Sequence, residues 1–202
     1  MYISGSNTLH AITKMTVFKI LIILTPFIFT VSSTASCQAK HNTKKTAQAE
    51  NLRAFRQVLW DSLPQATGYV NDYENIYSDK EEEVLDSLIR DFEKRTTIQI
   101  ALITFDTTMT TADSLDALTL KFANFWGVGQ KDKNNGVTIG ISSTYRRMRI
   151  QNGYGIEKVL TDTETKNIID ADFIPSFRDA NYFEGTYNGL MSLMKTLEQR
   201  YN

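Results

Sequence analysis

Histidine and cysteine are nearly absent from this chain, and the few present stand far forward. The two histidines are His10 and His41, the single cysteine is Cys37, and nothing after position 41 is either type. A Ser-His-Asp or Cys-His triad therefore has no members in the part of the chain able to build a core, and a His- or Cys-ligated zinc site has none either. One cysteine forms no internal disulfide. An excess of either charge is also lacking: 22 basic residues stand against 23 acidic ones, net −1, so the basic footprint that nucleic acid requires is missing. The glycines form no nucleotide loop. Gly127-Val-Gly129 and Gly153-Tyr-Gly155 lack the third glycine of a dinucleotide fingerprint, and no Lys-Ser/Thr completes a Walker motif.

What is there is ordinary globular composition, 42% hydrophobic and 22% charged over 202 residues, which predicts one domain with terminal extensions. Near the start, Lys19 precedes an apolar run of 12 residues, Ile20 to Val31, and small residues then lead to Cys37. That run is short for a bilayer span and has the layout of an export signal, with Met15 a better start than Met1. Cleavage before Cys37 with lipid on its sulfur gives a periplasm-facing lipoprotein of the bacterial envelope. The Thr at the third position before the cysteine leaves ordinary cleavage and secretion to the periplasm open, and a plain membrane anchor is the third alternative. Loss of Lys14 and Lys19 with the signal leaves 20 basic against 23 acidic residues, a net charge near −3.

The expected organisation is a signal region over 1–36, a polar tether over 37–49, a pre-domain helix over 50–66 and the domain over 67–202. The pre-domain helix carries Leu52, Phe55, Val58 and Leu59 at helical spacing, to pack on the core or to bind a partner. In the domain, Gly68–Asp72 reads as a short strand. Ser78-Asp-Lys-Glu81 is a capping box that opens a helix with Leu85, Leu88, Ile89 and Phe92 on one face. Thr97–Phe105 reads as a strand covered on both faces. A helix with Leu115, Leu118, Phe122 and Phe125 follows, then a strand at Gly136–Ser142. Four residues, Ser143–Arg146, separate it from Arg147–Gln151, which is hairpin spacing. Thr161-Asp-Thr-Glu164 caps a helix that Pro175 closes, and a last helix carries Leu190, Leu193, Met194 and Leu197. The pattern predicts an α/β fold, a Rossmann-like α/β/α sandwich whose mostly parallel sheet has one antiparallel hairpin.

Hard-oxygen chemistry is what these residues leave. Asp72, Asp106, Asp132, Asn134, Asn135 and Asp162 fall at strand exits or adjoining loops, where they suit Ca²⁺ or Mg²⁺, or simply cap helices and turns. Asp132-Lys-Asn-Asn-Gly136 is not an EF-hand: its glycine comes one residue early and the twelfth position is Ser143. Parallel strands would bring Asp72 and Asp106 out at one carboxyl edge, the usual place for a site. Trp126, Tyr154, Tyr182 and Phe183 form either a protein-docking patch or a cover for the core.

Val70-Asn-Asp72, Trp126-Gly-Val-Gly129, Asn135-Gly136, Asn152-Gly-Tyr-Gly-Ile-Glu157, Leu160-Thr-Asp162 and Pro175-Ser-Phe-Arg178 with Asn181-Tyr182 together resemble the TPM domain family. The family is named for its thylakoid-lumen, photosystem-repair and receptor-modulator members. The resemblance covers about Thr67 to Leu197. It implies a Rossmann-like sandwich outside the cytoplasm, divalent-metal binding, and acid phosphatase activity in some members. Carried over residue by residue, it implies Asp72, Asn135 and Asp162 as a site for Ca or Mg, framed by Gly129, Gly136, Gly153 and Gly155. Asn134 departs from the family, where Asp is common, and one carboxylate fewer lowers cation affinity. Arg178 also matches and would face a phosphate bidentately, or pair with a carboxylate nearby.

Two functions follow as expectations. In the first, an envelope-anchored module binds a divalent cation and acts as a binding or assembly factor for other envelope proteins, with membrane contact through Cys37. In the second, the chain is a metal-dependent acid phosphatase in which Asp106 or Asp132 orients water. Neither involves a nucleotide.

Overall fold

The computed structural model describes the backbone of residues 32–201 and the side chains of residues 43–201. Most of the expected signal region, residues 1–31, lies outside the described residues. The described chain divides into two units after Glu50. In the first, the polar stretch expected as a tether is helical and exposed at every residue from Thr43 to Glu50, as suits a segment with nothing apolar to bury. It belongs to helix α1, Ser32–Asp61. No helix among the described residues is long and apolar enough to cross a membrane.

The second unit is built on a four-stranded sheet in the order β1 (Val70–Asp72), β2 (Gln99–Thr104), β3 (Gly136–Ser142) and β4 (Arg147–Asn152). The first three strands are parallel, and β4 returns antiparallel to β3 through the expected Ser143–Arg146 turn. Helix α2 (Asp79–Thr96) joins β1 to β2, and α3 (Leu115–Trp126) joins β2 to β3 after a 3₁₀ turn at Ala112–Ser114. Beyond β4 come α4 (Tyr154–Glu157), α5 (Asp162–Ile168), a π-helical turn at Ile169–Phe173, α6 (Ile174–Arg178) and α7 (Tyr182–Arg200).

Alternation along β2 sorts the core into two layers. Ile100 and Leu102, with Val137, Ile139 and Ile141 of β3, meet Leu85, Ile89 and Phe92 of α2 and Leu190, Leu193, Met194 and Leu197 of α7. On the opposite face, Ile103 and Phe105 meet Leu115, Leu118 and Phe122 of α3, with Leu59, Trp60 and Leu63 at the end of α1 and just beyond. The sandwich is therefore α/β/α, as expected. Each α2 or α3 crossover moves one strand further in the same direction, yet the two pass over opposite faces. They are thus of opposite hand, and one has the rare left-handed sense.

Both capping boxes form, at Ser78 with Glu81 and at Thr161 with Glu164. The Thr161 backbone N–H, then Arg200 and the Thr161 hydroxyl, hold the Glu164 carboxyl down at about 2, from an ordinary 4.5. Three details differ from expectation. Pro175 does not close α5; the chain continues through the π-helical turn and Pro175 sits in the first turn of α6. Phe125 is 47% exposed, because the α3 stripe passes from Phe122 to Trp126 instead. Phe55 and Val58 are also exposed, so α1 meets the core chiefly through Leu59 and Trp60.

Helix α3 lies close to the sheet because Gly140 faces it. A Cβ there would stand 2.2 Å from Thr119 Oγ1 and 2.8 Å from Phe105 Cε2. Thr119 is held in place, its hydroxyl donating to the Leu115 carbonyl at 2.8 Å. The Gly140→Ala variant is expected to lose about 1–3 kcal/mol by overpacking. A fall in the denaturant midpoint with unchanged slope is the measurement that checks it.

Candidate functional site

The sheet register decides which candidate residues can meet. Asp72 pairs with Thr104, and Thr104 with Ile141, near the carboxyl ends of the parallel strands. Asn135 immediately precedes β3 at its other end. Six residues of β3 separate the two levels, roughly 20 Å at about 3.3 Å per residue. Asp162 opens α5, and α5 is anchored at the Asn135 level: Thr165 Oγ1 accepts from Asn152 Nδ2 at 2.9 Å, and Asn152 pairs with Val137. Asp72, Asn135 and Asp162 therefore do not form one site.

Asn135 is fully buried and committed to the backbone. Its Oδ1 accepts from Gln130 N at 2.8 Å and its Nδ2 donates to the Thr97 carbonyl at 2.8 Å. The glycine frame does assemble here. A Cβ on Gly136 would lie 2.0 Å from the Val128 carbonyl oxygen, and one on Gly155 would lie 2.0 Å from that of Lys133. Gly155 N donates to the Asn134 carbonyl at 2.9 Å, clasping the loop against the turn before α4. Gly129, at φ +105°, needs a conformation other residues avoid. Asp132 and Asn134 are exposed on this loop, at the end of the sheet opposite Asp72.

At the carboxyl edge the carboxylates are occupied by their own loops. Asp72 Oδ2 accepts from Tyr77 N at 2.8 Å, and its Oδ1 accepts from the buried Thr104 hydroxyl. Thr104 Oγ1 in turn accepts from Glu74 N at 2.8 Å. The Glu74 side chain reaches over β2 to the β3–β4 turn, accepting from Ser143 N at 2.6 Å and Thr144 N at 2.9 Å. Two successive amides converging on one carboxylate make a small anion nest, filled here from within the chain. Asp106 emerges at the same edge as Asp72, as expected. Its Oδ1 accepts from Thr108 N at 2.6 Å and from Met109 N at 3.1 Å, so it closes its own turn.

The sequence reading passed over Glu74, and the signal for it was the acidic pair Asp72-Tyr-Glu74 leaving a strand. Arg146 and Arg147 were also missed; they sit beside Arg178 and Tyr182 around a small cavity next to the same turn. The proposed aromatic patch does not assemble as one surface. Trp126 packs on Phe122 and donates to the Pro64 carbonyl at 2.8 Å, Tyr182 packs on Phe177, and Phe183 packs on Tyr187. Only Tyr154, at 76%, is strongly exposed.

The divalent cation implied by the family resemblance does not fit the trio of residues carried over for it. Among the described residues no group of three or more His, Cys, Asp or Glu is placed to hold a metal. Asn135 acts as a loop clamp instead. The Asn135→Ala variant is expected to lose roughly 1–3 kcal/mol, because the part-buried Gln130 amide and Thr97 carbonyl lose their partner. Chemical denaturation checks it.

Among solved structures, the chain is similar to the N-terminal domain of a protein from P. gingivalis. The two are 29% identical, with a TM-score of 0.60, over 71% of this chain and 91% of that one. It is also similar to a protein from the psychrophilic bacterium Bizionia argentinensis, 19% identical with a TM-score of 0.55, over 64% of this chain and 88% of that one. The N-terminal domain of a Corynebacterium glutamicum protein is 14% identical, with a TM-score of 0.50, over 67% and 84%. In these last two the likeness is one of fold. No curated protein matches. The TPM domain model matches residues 70–196, well over half of the sequence, and the chain belongs to the TPM domain family.

Proposed function

We propose that this TPM domain is a binding or assembly module for other envelope proteins, held at the membrane through Cys37, and that it does not turn over phosphate esters. The observation that supports this reading is the state of the carboxyl edge. Asp72, Glu74 and Asp106 each accept hydrogen bonds from amides or hydroxyls of the loops around them. A carboxylate that orients water needs a free lone pair aimed at it. Asp72 and Glu74 use both oxygens to hold loops together, and Asp106 uses its Oδ1 to hold its own turn. Residues 51–202 contain no imidazole to take over the proton transfer.

The alternative, a metal-dependent acid phosphatase, is tested directly. Aryl-phosphate hydrolysis by the full chain and by Asp72→Ala, with and without millimolar Ca²⁺ or Mg²⁺, is expected to show no turnover that the substitution removes. Thermal melts of the same samples report cation binding independently, because a ligand of the native state raises the melting temperature. A rise lost in Asp72→Ala, together with turnover lost in the same variant, would carry the phosphatase reading instead.

Anchorage has its own test. Cys37→Ser is expected to move the protein from the membrane fraction to the soluble fraction of cells. Unchanged membrane association would rule out lipid on Cys37.

A further inference from the structure

Beside the β3–β4 turn lies a cavity of about 180 Å³ whose walls are Arg146, Arg147, Arg178, Ile174, Phe177 and Tyr182. Arg146 and Arg178 line this cavity as exposed cations. Arg147 also lines it, but its guanidinium is directed to the α3 face of the sheet, 3.5 Å from Asp116. Arg146 and Arg178 have no side-chain hydrogen bond or ion pair among the described residues. Glu74, which reaches the turn from the loop after β1, directs its carboxylate to the Ser143 and Thr144 amides.

Arg146 is also in an unusual place. It occupies the last position of the turn at φ +50°, a left-handed conformation that Gly or Asn would adopt more cheaply. A long cation at a position suited to glycine points to a use for its side chain. The opposite wall belongs to α6 and to Tyr182, the first residue of α7. The Tyr182 hydroxyl donates to the Ser143 carbonyl at 3.3 Å, which ties that wall to the turn carrying Arg146.

Volume and lining narrow the ligand. A whole cofactor or drug-sized molecule needs about 300 Å³ or more, so this cavity suits one side chain or one chain end. Guanidinium groups select an oxyanion. Ile174, Phe177 and the Tyr182 ring give that anion an apolar or aromatic neighbour. A peptide chain end carries both features in one residue.

We infer that the cavity lined by Arg146 and Arg178 binds the C-terminal carboxylate of a partner protein whose last residue is apolar or aromatic. This deepens the assembly reading by naming the feature of the partner that is recognised, and it rests on that reading. The chemistry is reversible ion pairing, with no bond made or broken.

The test is a ¹H–¹⁵N NMR titration of the full chain with N-acetylphenylalanine, its uncharged amide, and phenyl phosphate. The acid is expected to give saturable shifts at Phe177, Arg178, Tyr182 and the Arg146 side chain, with Kd roughly millimolar for a fragment of this size. The amide is expected to give none. Arg178→Met is expected to weaken binding of the acid roughly tenfold or more, with Arg178→Lys in between, because a guanidinium–carboxylate contact is charge-assisted. Arg178 has no partner to lose, so the variant should melt with the wild type; the Lys variant repeats the test if it does not. Equal binding of acid and amide, tighter binding of phenyl phosphate, absence of saturable shifts, or shifts confined to other surfaces would each overturn the assignment. The assembly reading fails separately, on turnover that depends on Asp72, which this titration does not touch.

Discussion

Strand β3 is buried at every residue from Gly136 to Ser142, and the rest of the domain is arranged to keep it so. One face of the strand is branched and apolar, Val137, Ile139 and Ile141, and it accepts the two long helices α2 and α7. The other face is small and polar, Thr138, Gly140 and Ser142, and it lets α3 approach the backbone. A strand covered on both sides cannot solvate its amides, so it must be paired on both edges, by β2 in parallel and by β4 in antiparallel. Its two ends then become the two places where the chain must manage polar groups without the ladder.

Those two ends are managed by different means. Where β3 begins, backbone packs on backbone: glycines admit the close approach, and the Asn135 side chain substitutes for a missing strand neighbour by bonding two separate loops. Where β3 ends, side-chain carboxylates and hydroxyls bridge the strand exits, with Thr104 as the link between Asp72 and the Glu74 backbone. One end is a tight clasp. The other is a polar bridge with arginines at its side.

Much of the fold is legible in the sequence because burial and periodicity are local. The β3–β4 hairpin, both capping boxes and the apolar stripe of α7 follow from spacing alone. The candidate site was less legible, and the register is the reason. Asp72, Asn135 and Asp162 were brought together by a resemblance of motifs, but a motif records order along the chain and not which end of a strand a residue occupies. Glu74 escaped notice because its role depends on the Ser143 and Thr144 amides, about 70 positions further on. Pro175 misled because proline ends one helix and opens another with equal ease. Nor does the alternation of strands and helices reveal that α2 and α3 take opposite faces, which depends on which side of β2 each helix finds its apolar partners.

The outer strands of the sheet have a consequence for how the protein behaves in company. A free ladder edge is a template on which another chain can add a strand, the first step toward aggregation. Strand β1, at one margin, is three residues long and offers too little length for such growth. Strand β4, at the other, is longer but presents exposed Arg147 and Arg149, charges that an incoming strand would have to bury. Brevity on one side and arginines on the other disfavour edge-to-edge pairing between copies of this domain.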